Sequence, residues 1–102
     1  MPDLLNPADV ETALGALPGW TFEEDALVKR ADVPADSQDG LLESVAQVAD
    51  EVDHHPDVSR EADAVVFRLR THSAGGVTSK DVDLAARIDR MLSGASRDTG
   101  TT

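Results

Sequence analysis

The 102-residue sequence predicts an α+β domain, with a four-stranded antiparallel sheet and three helices packed on one face in the order α-β-β-α-β-β-α. Three observations carry that prediction. Three stretches repeat apolar residues near the helical period, and each is preceded by a helix-start signal. Between them lie two pairs of short alternating runs, each pair joined by a polar turn. Strands and helices do not alternate one by one, as a parallel crossover sheet would require. A single domain is expected, with an ordered core over about residues 6–92 and a flexible tail over 93–102.

Residues 1–5 are expected to be loosely ordered. Asn6-Pro7-Ala8-Asp9 then reads as a helix start: Asn6 as N-cap, Pro7 at the first helical position and Asp9 in the first turn. Val10, Ala13, Leu14 and Leu17 form its apolar stripe, and Pro18-Gly19 ends it. Trp20-Thr21-Phe22 and Ala26 to Arg30 alternate as two strands around the polar turn Glu23-Glu24-Asp25.

A second helix is expected from about Ser37 to Asp53, capped by Asp36 or Ser37, with Leu41, Val45, Val48 and Val52 on its inner stripe. Pro56 cannot continue it, which puts His54-His55 at its C-terminus, where the helix dipole favours a cation. Asp50 precedes His54 by four residues and would share a helical face with it. Asp57 to Arg60 reads as an edge strand, Glu61-Ala62-Asp63 as a turn, and Ala64 to Thr71 as the clearest strand. In that strand Val65, Phe67 and Leu69 occupy one face, Arg68 and Arg70 the other, and His72 follows at its exposed end. Ser73-Ala74-Gly75-Gly76 is a loop. Thr78-Ser79-Lys80-Asp81 matches a capping box with Asp in place of Glu, starting a third helix whose inner residues are Val82, Ala85, Ile88, Met91 and Leu92.

Composition narrows the function. With 40% hydrophobic but 3% aromatic residues, the core must be aliphatic apart from Trp20, Phe22 and Phe67. The absence of cysteine excludes disulfides, thiolate zinc sites and cysteine nucleophiles. A net charge of −11 argues against nucleic acid or an anionic membrane as direct partner. Only Lys29 and Lys80 are lysines and Asp outnumbers Glu, the surface expected of a protein from a high-salt cytoplasm. No long apolar run and no signal-like N-terminus occur, so a soluble cytoplasmic protein is expected.

All three histidines fall in Asp50-Glu51-Val52-Asp53-His54-His55-Pro56 and Thr71-His72. Imidazole titrates nearest neutrality of all side chains, so such a cluster points to proton transfer or to metal binding. With Gly19-Trp20, Gly75-Gly76, Asp81 and Leu84-Ala85 at their intervals, the chain resembles the pterin-4a-carbinolamine dehydratase family over roughly residues 9–92.

That resemblance implies the α+β fold, a homo-dimer or homo-tetramer, and dehydration of a 4a-hydroxytetrahydropterin to the quinonoid dihydropterin in tetrahydrobiopterin-type cofactor recycling. It implies His54, His55 and His72 as acid/base and substrate-contacting groups. Asp50 and Asp81 would be orienting carboxylates, and Pro56 and Thr71 would shape the pocket wall. No cofactor or metal is implied, because the pterin is the substrate. Some members serve instead as dimerisation cofactors for a transcription factor, which makes a non-catalytic oligomeric adaptor the alternative. The chain departs from the family where aromatics follow the histidine pair: Val58, Ser59 and Ala62 stand there, and Ala31 to Asp39 replaces a phenylalanine-rich segment. These departures bear on ring stacking and the oligomer interface, not on the proton-transfer groups. Zinc held by three histidines and a carboxylate is the rival chemistry, opposed by the divergence of the adjacent His54 and His55.

Overall fold

The computed structural model describes the backbone of residues 4–101 and the side chains of residues 4–93. Seven elements follow in the expected order: α1 Pro7–Gly15, β1 Thr21–Glu23, β2 Ala26–Asp32, α2 Ala35–Val52, β3 Asp57–Arg60, β4 Ala64–Leu69 and α3 Ser79–Thr101. The strands form one antiparallel sheet in the order β1-β2-β4-β3. β1 and β3 are therefore its edges, and the two longest strands are its centre.

Helix α1 starts as its sequence dictates, with the Asn6 carboxamide oxygen accepting the Asp9 N–H at 2.8 Å. It stops two residues short of Leu17, with Ala16 as C-cap, so Leu17 lies beyond the helix yet is still buried. The β1–β2 turn narrows to Glu24 and Asp25, both at positive φ, as a two-residue type I′ hairpin requires.

Alternation sorts the sheet's two faces. Leu27, Lys29 and Ala31 of β2 pair across with Leu69, Phe67 and Val65 of β4, and α2 and α3 pack over that face. Phe67, Leu27, Leu69, Leu84 and Ile88 are fully buried there, worth roughly 1.5–3 kcal/mol each. Lys29 is the polar exception on this face. Its ammonium donates to Asp89 Oδ1 at 2.9 Å and to the Pro18 carbonyl at 3.1 Å, while the Trp20 indole donates to the same carboxylate. Gly19 at φ 84° lets the chain turn beside that lysine, where an added Cβ would meet Lys29 Cε at 3.2 Å.

Helix α2 corrects its expected start. It begins at Ala35 behind Pro34, with no side-chain cap, so Asp36 lies in the first turn rather than at the N-cap. The buried Gln38 anchors that end instead. Its amide donates to the carbonyls of Val33, Glu61 and Ala64, and its oxygen accepts from Arg60 Nε. These bonds fasten α2 to the β3–β4 hairpin and so fix where the far end of α2 delivers the histidine pair.

Of residues 1–5, expected to be loose, the first three lie outside the described residues, while Leu4 bridges to Thr78 and the Leu5 N–H donates to the Val77 carbonyl. A Cβ on Gly76 at that crossing would come within 2.7 Å of the Leu4 Cδ1 methyl, which would have to shift. Where a flexible tail is expected over 93–102, the backbone continues α3 as far as Thr101, and the side chains from residue 94 lie outside the described residues.

Candidate functional site

The site is built where the end of α2, the start of β3, the end of β4 and the start of α3 meet. Helix α2 ends at Val52 because Asp53 adopts the left-handed conformation (φ 53°, ψ 45°), with its N–H still donating to Ala49 and Asp50 carbonyls. His54 N–H also folds back onto the Ala49 carbonyl at 3.0 Å. From His54 the chain runs into β3, so successive side chains diverge.

His54 turns toward α3 and is nearly buried, and its Nε2 lies 2.5 Å from Oδ1 of the fully buried Asp81. The other oxygen of Asp81 accepts the Thr71 hydroxyl at 2.8 Å and the Thr78 N–H at 2.9 Å. The second bond is half of the expected capping box. In place of the other half, Thr78 Oγ1 accepts the N–H of Lys80, one residue before Asp81, at 3.2 Å, an ordinary N-cap bond.

Proton counting fixes the direction of this network. Thr71 has one hydroxyl proton and gives it to Asp81, so the 2.8 Å bond between the two threonines must be donated by Thr78. An ionised carboxylate only accepts, so beside an ionised Asp81 the proton of this bond would sit on His54 Nε2. With three partners Asp81 is satisfied, as a buried carboxylate must be.

His55 turns the other way. Its Nε2 pairs with Asp50 Oδ1 at 2.7 Å, both side chains being exposed. This corrects the expected Asp50–His54 face: the helix ends before His54, and the left-handed Asp53 redirects the chain so that the second histidine reaches back to Asp50. Pro56 is half-buried between the pair and β3. His72 is exposed in the tight turn that follows β4, closed by Thr71 N–H to Gly76 carbonyl at 2.9 Å. It makes no side-chain hydrogen bond among the described residues.

The structure thus joins His54, Thr71, Thr78 and Asp81 directly, with His72 one residue beyond Thr71 and His55 one residue beyond His54. Thr78 enters this set as more than a helix cap, and the capping-box spacing was the signal that located it. Among the described residues, no three His, Asp or Glu side chains gather as a metal would need. Cavities of about 720, 460 and 630 Å³ open elsewhere on the molecule, and no histidine lines them.

A family model described as pterin 4 alpha carbinolamine dehydratase matches residues 3–91 of the chain. A protein of Roseiflexus castenholzii named "Putative pterin-4-alpha-carbinolamine dehydratase" is 41% identical over 93 residues, covering 90% of this chain and all of that protein. One of the same name from Mycolicibacterium smegmatis is 42% identical, covering 88% of this chain and 97% of the relative. In three dimensions the chain is similar to a transcriptional coactivator/pterin dehydratase from Brucella melitensis, at a TM-score of 0.84 and 27% identity, over 88% of this chain and 99% of that one.

Proposed function

The chain belongs to the pterin 4 alpha carbinolamine dehydratase family, and on that basis we propose that it dehydrates a 4a-hydroxytetrahydropterin to the quinonoid dihydropterin by histidine acid/base catalysis. In this reading it recycles a tetrahydrobiopterin-type cofactor in the cytoplasm, as a homo-dimer or homo-tetramer. The observation that supports it most is the buried Asp81 bonded to His54 Nε2, with His55 and His72 both exposed on the segments that adjoin that network.

The reaction moves protons and one C–O bond. The 4a-hydroxyl takes a proton and leaves as water, and loss of the N5 proton forms the C4a–N5 double bond. One acid and one base on a flat ring suffice, each typically contributing about 10²–10⁴-fold. His55 and His72 are proposed as the acid/base pair, and His54 as a further acid/base or substrate-contacting group aligned by Asp81. Asp50 orients His55, while Pro56 and Thr71 form the wall. The small Val58, Ser59 and Ala62 supply no aromatic platform, so substrate orientation falls to polar groups.

A second reading is a non-catalytic oligomeric adaptor on the same scaffold. It is favoured by the coactivator description of the similar Brucella structure and by the exposed Val58 on the edge strand β3.

Dehydration of freshly generated 4a-hydroxytetrahydropterin, timed against its spontaneous loss of water, separates the two. The wild-type chain is expected to accelerate it, and His72→Ala to remove about 10²-fold or more of that acceleration with an unchanged melting temperature. A wild-type chain that gives no acceleration would leave the adaptor reading in possession.

A further inference from the structure

Four lysine and arginine side chains of this chain are neutralised at close range. Lys29 pairs with Asp89, Arg30 with Glu61, Arg60 with Asp39 and Arg87 with Asp83. Arg68 and Arg70, like Lys80 and Arg90, are not among them. Neither Arg68 nor Arg70 forms an ion pair among the described residues, in a chain with 20 acidic residues against 9 lysines and arginines.

Their position is specific. Val65, Phe67 and Leu69 of β4 are buried against the helices, so Arg68 and Arg70 project from the opposite, open face of a central strand. Residues two apart on a strand are about 7 Å apart, so two like charges neighbour each other there, with the single carboxylate of Asp57 opposite Arg68 in the β3–β4 register. Both side chains are half-buried rather than extended into water. Arg68 Nη2 is held by the Glu24 carbonyl at 3.2 Å, and Arg70 Nε is buried with no hydrogen-bond partner. A desolvated guanidinium donor without an acceptor costs stability unless something fills the place.

The pair also leads in sequence into the turn that carries His72, Arg70 directly preceding Thr71 and His72 at the end of β4.

We propose that Arg68 and Arg70 form the anion-binding arm of the site, receiving a carboxylate or phosphate on the side chain of a pterin whose ring lies at the histidines. This deepens the dehydratase reading and rests on it. The planar guanidinium matches either anion through two parallel N–H donors, and two such groups on one strand would hold the substituent while the ring meets the imidazoles. They would also supply orientation that the missing aromatic platform does not.

The test is calorimetric binding of three stable dihydropterins to the full chain, with a neutral, a glutamyl-carboxylate or a phosphate side chain, alongside dehydration of the matching 4a-hydroxy adducts. An anionic form is expected to bind about tenfold or more tighter than the neutral one in dilute buffer, with the preference shrinking as salt rises. Whichever of the carboxylate and phosphate forms gains more identifies the substituent. Arg70→Gln and the double variant Arg68→Gln/Arg70→Gln should collapse that preference, while Arg87→Ala should leave it in place. Equal affinity for charged and neutral forms, or a preference that survives the double variant, overturns the proposal even if dehydration proceeds. A chain that neither binds nor dehydrates any pterin overturns the dehydratase reading, and this proposal with it.

Discussion

Two adjacent histidines each meet an aspartate at nearly the same distance, yet the two pairs do different work. His54 lies 2.5 Å from a carboxylate with no solvent exposure, and His55 lies 2.7 Å from one that is 75% exposed. The cause is geometric. Once Asp53 ends α2 in the left-handed conformation, the chain becomes extended, and neighbouring side chains leave on opposite sides. One enters a network with two threonines and a helix N-terminus, and the other returns to the surface of the helix just left. Solvent then decides the energetics: an exposed pair is screened and contributes about 0–1 kcal/mol, whereas breaking a buried one strands a polar group. Distance alone would have ranked them equal.

The largest expected effect is on stability. Asp81→Ala removes the acceptor of His54, of the Thr71 hydroxyl and of the Thr78 N–H together, and should cost about 3 kcal/mol or more in a denaturant titration. A midpoint close to wild type would mean that the buried network contributes no more than the exposed pair. Thr71→Val keeps the shape and deletes one donor to that carboxylate, and should cost about 1–2 kcal/mol by the same measurement. Asp50→Ala sits at the small end. Its loss should stay within about 0.5 kcal/mol, and a loss rivalling that of Asp81→Ala would erase the distinction between the two pairs.

Much of this was legible in the residues and some was not. The first and third helices announce their starts because Asn6 and Thr78 are capping residues whose role is local in sequence. The capping-box spacing found Asp81, but only packing could show that its second oxygen meets His54, 27 positions earlier. The pairing of Asp50 was misread because a four-residue spacing implies a shared face only while the helix lasts, and an aspartate in left-handed conformation leaves no glycine to mark its end. Pro34 likewise hid the start of α2, where the buried Gln38 replaces a cap by reaching carbonyls up to 26 positions away. Alternation placed Lys29 on the core face, but its partner Asp89 lies 60 positions on, beyond any local rule.

The central claim is that the buried carboxylate sets the proton on His54 for dehydration. Asp81→Asn tests it most directly, since an amide of the same shape can present N–H to the imidazole and reverse its tautomer. The dehydration rate of the folded variant, measured against the spontaneous reaction, should fall about 10²-fold or more. A folded Asp81→Asn chain that dehydrates the 4a-hydroxytetrahydropterin at the wild-type rate would contradict the account.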